Sequence, residues 1–226
     1  MISDIFNKRF SFKDRNPQRN MIFMLFIALI PLIPVMFLNN LFKYTLADGT
    51  IEKGFFNYLA SDNDIVVEGF CFLFTAGILF LADKVINGRK TIKDIKPKNA
   101  VTIGLFQCVA LLPGVSRSGS TIAGGIFSGF TRKTAIQFSF LLGIPTVLGS
   151  MITELPKGAK EAAEQIGVTE MIIGFIVAAV VGIVAIKLVT YLLQSNKFKV
   201  FWMYTAILGV VTIVIGTFTP FGAGCI

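Results

Sequence analysis

The sequence predicts an all-α integral membrane protein, a single membrane domain over residues 1–226 built from five spanning helices and one re-entrant helix pair. Three observations carry that prediction. Five segments are apolar over the roughly 20 residues that a helix needs to cross a bilayer. Lysines and arginines gather in alternate connections between them, as they do in cytoplasmic loops. In the middle of the chain stands LLPGVSRSGSTIAGG, Leu111 to Gly125, where an arginine, hydroxyl residues and glycines interrupt apolar sequence. A guanidinium in hydrocarbon is expensive, and an intramembrane arginine is by default functional.

Composition agrees. Of the 226 residues, 54% are hydrophobic and 15% charged, and the mean hydropathy is +0.74, which is a membrane-protein profile. The net charge of +8 sits in short loops, not on an amphipathic or aromatic-interleaved surface. It sets topology, and no nucleic-acid partner is expected. The chain has no histidine, which removes His-containing triads and His metal clusters. Cys71, Cys108 and Cys225 lack metal-ligand spacing and read as neither a disulfide framework nor a zinc site.

The elements follow in order. Residues 1–20 have no apolar core of signal-peptide length and form a basic aqueous segment with Lys8, Arg9, Lys13, Arg15 and Arg19. The first span is Met21 to Phe42, kinked at Pro31 and Pro34 because each removes a helix hydrogen bond. The 43–64 loop carries Asp48, Glu52, Asp62 and Asp64 and belongs outside. The second span, Ile65 to Ile86, contains Glu68 near its start, an interfacial position. The 83–99 linker holds Lys84, Arg89, Lys90, Lys93, Lys96 and Lys98 and belongs inside. The remaining spans are Ala135 to Leu155, Met171 to Leu193 and Phe201 to Phe218. An acidic outside loop at 156–170 and the basic inside loop QSNKFK separate them, so the C-terminus lies outside.

Residues 100–130 lie between two inside markers, the 83–99 linker and the pair Arg132, Lys133. They must enter and leave on one face. VTIGLFQCVALL and TIAGGIFSGF are each too short to cross, and PGVSRSGS between them holds the turn residues, which predicts a re-entrant pair with its tip toward the midplane. A tip of this kind survives only where protein or a water-filled cavity surrounds it.

At the tip Arg117, the hydroxyls of Ser116, Ser118, Ser120 and Thr121, and the free N–H groups opening the second half-helix are all donors. Pro113 ends the first half-helix, and Gly114 and Gly119 let the backbone turn and approach a ligand. The set fits a tetrahedral oxyanion, which a guanidinium grips with two parallel hydrogen bonds. The competing account is structural: small and hydroxyl residues pack helices in membranes, and a shallow arginine snorkels to the interface. Ser120, Gly124, Gly125 and Gly129 taken singly read as packing positions. Gln107 either bonds the ligand or satisfies the broken backbone, and the residues leave both open.

PGVSRSGST resembles the PGxSRSxxT signature of the undecaprenyl-diphosphate phosphatase, or bacitracin-resistance, family. FQCVALLPG before it, TIAGG after it and FSFLLGIPTVLG at Phe138 to Gly149 agree, and the resemblance runs from about Met21 onward. It implies an inverted-repeat enzyme of the bacterial plasma membrane, its active site open to the outer side. Such an enzyme hydrolyses undecaprenyl diphosphate to the monophosphate carrier used in cell-wall synthesis, with a divalent cation, Mg²⁺ or Ca²⁺, as cofactor. By that resemblance Arg117 binds the diphosphate and, with Ser116 and Thr121, forms the catalytic set; together with the donors read from the residues, the candidate substrate-binding set is Arg117, Ser116, Ser118, Gly119, Thr121 and Gln107. The implied partners are a polyprenyl diphosphate lipid and the membrane, with a homodimer as a candidate assembly.

The chain departs from the family pattern at the N-terminal motif of paired glutamates and a Ser-Ser-Thr-Gly-His segment. No glutamate precedes Glu52. In inverted-repeat terms residues 100–226 form a complete second repeat and residues 1–99 the remainder of a first, short of a re-entrant pair and one span, roughly 50–60 residues. The expectation is a truncated member that keeps the anion clamp, its metal ligands belonging to the absent segment. The alternatives are a transporter or flippase of an anionic lipid or solute, since carriers also place broken helices at the midplane, and a nonfunctional fragment.

Overall fold

The computed structural model describes residues 17–41, 43–45, 51–53, 65–85, 88–165, 168–194 and 198–218. The basic residues Lys8 to Arg15, the acidic Asp48, Asp62 and Asp64, and Cys225 lie outside them. The helices are α1 (Pro17–Leu29), α2 (Leu32–Leu41), α3 (Ile65–Lys84), α4 (Pro97–Val109), α5 (Arg117–Phe127), α6 (Arg132–Gln165), α7 (Val168–Gln194) and α8 (Phe198–Phe218). Five helical stretches are long and apolar enough to cross a membrane, with α1 and α2 together making the first.

The first span breaks once rather than twice. At Ile30–Pro31 the helix gives way to a tight turn, with the Ile33 N–H donating to the Ile30 carbonyl at 3.2 Å. Pro34 causes no second break because it falls in the first turn of α2, where its missing N–H has no helical partner to lose. The fold is all-α as expected, and the 43–64 loop adds one short hairpin, where β1 (Lys43–Thr45) and β2 (Ile51–Lys53) pair antiparallel, Tyr44 opposite Glu52. Tyr44, Thr45 and Ile51 favour extended backbone, and Asp48-Gly49 between the strands is a hairpin signal. The expected loop at 156–170 is also corrected: α6 continues to Gln165. Its KEAAEQ segment is rich in helix formers, which outweigh Pro156 and the charge pattern.

Packing centres on the α3–α8 crossing and on α4, α5 and α6. Gly69 and Gly209 meet at the crossing, where a Cβ on Gly209 would lie 2.9 Å from the Gly69 carbonyl oxygen. Small residues there let the backbones close, as in membrane helix pairs generally. Ile103, Ile126, Phe130, Ile136, Phe138 and Leu142 fill the core between α4, α5 and α6. By contrast the apolar stretch Thr169–Tyr191 of α7 has no buried residue.

Short helices α4 and α5 run out and back. At 13 and 11 residues they are about 20 and 17 Å long, well short of a hydrocarbon core of roughly 30 Å. Their outer ends are tied together: Asn99 Nδ2 donates to the Ser128 carbonyl at 3.3 Å, and Lys90 Nζ donates to the same oxygen at 2.7 Å. Lys90 also pairs its backbone with Gly129 and Thr131. At this base Arg132 bridges to Asp83 at 3.0 Å and lies over the Phe198 ring, so α3, α6 and α8 end together.

Candidate functional site

The turn between α4 and α5 is built from its sequence outward. Helix α4 ends at Val109, four residues before Pro113, and tight turns carry the chain on, with the Leu111 N–H donating to Cys108 and Leu112 to Val109. Proline restricts the residue before it, so the helix closes early rather than at Pro113 itself. Gly114 adopts φ +81°, a left-handed conformation that disfavours any side chain. A Cβ there would also lie 2.9 Å from the Glu68 carbonyl oxygen of α3. The turn is pressed against that helix.

Ser116 caps α5, its Oγ accepting from the Gly119 N–H at 3.1 Å. That bond explains Gly119, since a Cβ would meet Ser116 Oγ at 3.0 Å. With Gly119 bonded to the cap and the Ser120 N–H to the Ser116 carbonyl, the N–H groups of Arg117 and Ser118 are the orphan donors of the first turn. Arg117 and Ser118 are exposed, and Arg117 has no ion-pair partner among the described residues. Both line a cavity of about 380 Å³ with Gln107, Thr121, Ser139 and Thr146. Its remaining wall is α6, through Phe140, Leu142, Gly143 and Val147.

The structure therefore brings Arg117, Ser118, Thr121 and Gln107 to one cavity, with Ser116 and Gly119 supporting its floor. Their functions divide. Thr121 is buried, and its hydroxyl lies 2.9 Å from the Arg117 carbonyl, 3.2 Å from the Ser118 carbonyl and 2.6 Å from Ser139 Oγ. Those bonds hold the first turn of α5. Gln107 is 2% exposed and donates through Nε2 to Thr146 Oγ1 at 2.9 Å, while Thr146 donates to the Leu142 carbonyl at 2.7 Å. The chain of donors orients the amide, leaving its Oε1 buried without a partner among the described residues. Ser120 lies buried beneath the site, away from the cavity lining, and Gly124 and Gly125 pack against Phe106 and Ala135.

Three supporting residues escaped the sequence reading: Thr75, Ser139 and Thr146. Each is a lone hydroxyl inside an apolar run, and that was the available signal. Thr75 sits at the middle of α3, where its Oγ1 accepts from the Ser116 N–H at 3.2 Å and donates to the Cys71 carbonyl at 3.0 Å. Glu68 keeps its place in the first turn of α3, and its backbone is beside Gly114. Cys71 and Cys108 are free thiols.

The chain matches the family described as bacitracin resistance protein BacA over residues 1–211. It is 37% identical over 167 residues to the undecaprenyl-diphosphatase of Halothermothrix orenii, an overlap covering 74% of this chain and 64% of that protein. It is 33% identical over 208 residues to undecaprenyl-diphosphatase 4 of Bacillus thuringiensis, covering 92% and 74%. With the undecaprenyl-diphosphatase of Methanosphaera stadtmanae it shares 32% over 180 residues, covering 77% and 64%. The chain thus spans less than two thirds of the length of the first and third of these relatives.

Proposed function

The chain belongs to the bacitracin resistance protein BacA family, and we propose that it acts on undecaprenyl diphosphate, yielding undecaprenyl phosphate and phosphate. The observation that carries this reading is Arg117 at the opening of α5, beside two orphan N–H groups and facing a cavity of headgroup size. The terminal phosphate would take the guanidinium fork on two oxygens and the Arg117 and Ser118 N–H groups on the third. In hydrolysis the bond from the terminal phosphorus to the bridging oxygen breaks, water oxygen replaces it, and the water's proton passes to solvent. Charge spreads over the transferred phosphoryl oxygens, and donors already aimed there stabilise it without reorganising.

The described lining of the cavity is made of Arg117, hydroxyls, Gln107 and apolar residues, a set suited to binding and orienting the phosphate. The divalent cation implied by the family resemblance finds no fit: no cluster of three or more His, Cys, Asp or Glu that could hold a metal occurs among the described residues. The part assigned to this chain is the clamp.

We read α4 and α5 as a re-entrant pair and the membrane as the bacterial plasma membrane. Support comes from the tied base, the sub-bilayer helix lengths, and the exposed Lys84, Arg89, Lys93, Lys96, Lys98 and Lys133 around that base, a distribution suited to the cytoplasmic face. The test is phosphate release from a polyprenyl diphosphate by the purified chain, with and without Mg²⁺ or Ca²⁺, beside Arg117→Ala. A fall of about a hundredfold in the variant is expected. Unchanged release in Arg117→Ala would sink the assignment of the tip, and accumulation of the lipid in sealed vesicles without phosphate release would identify a carrier.

A further inference from the structure

We infer that Thr75 is a positioning residue that sets the aim of Arg117 from a different helix, a role that rests on the anion-site reading above. The Ser116 N–H lies outside the hydrogen-bond ladder of α5, and Thr75 Oγ1 is its acceptor. Thr75 is 1% exposed and its hydroxyl proton is committed to the Cys71 carbonyl, so only an oxygen lone pair faces Ser116. The direction of this bond is therefore fixed by the helix that carries it. Ser116 is both the cap of α5 and the residue before Arg117, and a shift there moves the guanidinium and both orphan N–H groups together.

A second helix braces the same turn from the opposite side. Ser139 on α6 reaches Thr121 Oγ1 at 2.6 Å, and Thr121 in turn bonds the Arg117 carbonyl. The tip is held through its N–H side by α3 and through its carbonyl side by α6. Measured along α3, Thr75 lies eight residues from Asp83 at the base, a rise of about 12 Å. The brace acts near mid-helix, where Thr75 is buried and the loss of its acceptor leaves the Ser116 N–H to find another. Gly114 against Glu68 and Cys71 forms the other contact of the turn with α3, but it is steric and fixes distance without direction.

The experiment compares wild type, Thr75→Val, Thr75→Ser and Arg117→Ala in the full chain. It measures affinity for inorganic phosphate, hydrogen exchange at the Ser116 amide, and melting temperature. Thr75→Val should weaken phosphate binding about tenfold and speed exchange at Ser116, and Thr75→Ser should restore both. Should Thr75→Val fail to fold, Thr75→Ala removes the same acceptor without a methyl group in its place. Unchanged affinity and exchange in the variant, or loss of affinity that Thr75→Ser does not rescue, would overturn the proposal. If Arg117→Ala binds phosphate as wild type does, the anion-site reading itself falls, and the proposal with it.

Discussion

The α4–α5 pair and helix α7 invert the rule that governs soluble proteins. In the pair, hydroxyl and glycine positions lie inside, with Ser120 and Thr121 1% and 3% exposed and Gly119 buried, while Arg117 and Ser118 face the cavity. In α7, the apolar residues from Met171 to Leu188 face outward, with Phe175 76% exposed and Ile173 and Ile183 each 57%. A bilayer exerts no drive to bury leucine against leucine, so small and hydrogen-bonding residues take interior places and a wholly apolar helix can stand uncovered.

Gly114 offers the strongest way to break this contrast. Gly114→Ala places a side chain at φ +81° and against the Glu68 carbonyl, a strain of about 2–3 kcal/mol, which corresponds to a melting temperature lower by roughly 5–10 °C. Thermal unfolding in detergent checks it. A melting temperature equal to wild type would mean that the tip does not press on α3.

On α7 the expectation runs the other way. Phe175→Leu should change stability by less than about 0.5 kcal/mol, because the side chain is 76% exposed and has little packing to lose. A larger drop in the same assay would show that a partner covers this face.

The smallest effect belongs to the base of the pair, at Asp94. Its carboxylate accepts from the Thr91 N–H and then from the Thr91 hydroxyl, each at 2.9 Å, and these bonds hold its pKa below the ordinary carboxylate value. A depressed pKa in the folded state stabilises above the unfolded value of about 4, and that stabilisation is lost as pH falls through the lower, folded one. Melting curves of wild type and Asp94→Ala should therefore differ slightly at neutral pH and converge in acid. A gap that persists at low pH would place the effect elsewhere.

Particular residues mark how far sequence alone reached. The five spans and the cluster Arg117, Ser118 and Thr121 were legible, because apolar length and a charge within apolar sequence are local properties that no partner needs to explain. The long α6 was misjudged at Pro156, where charge pattern and helix propensity pointed in different directions. Gln107 was legible as polar but not as oriented, since Thr146, its partner, lies 39 residues away. Thr75 was invisible for the same reason, 41 residues from Ser116.

By itself, then, the sequence determined the membrane class, the order of the spans and the polar cluster that opens α5, all set by transfer free energies between water and lipid that act residue by residue. Only the tertiary structure decided which faces are covered, how α3 and α6 hold the tip and where the cavity lies. Those are long-range contacts among helices whose apolar surfaces look alike, and the choice among them is made by a few glycines and hydroxyls that gain meaning only when they meet.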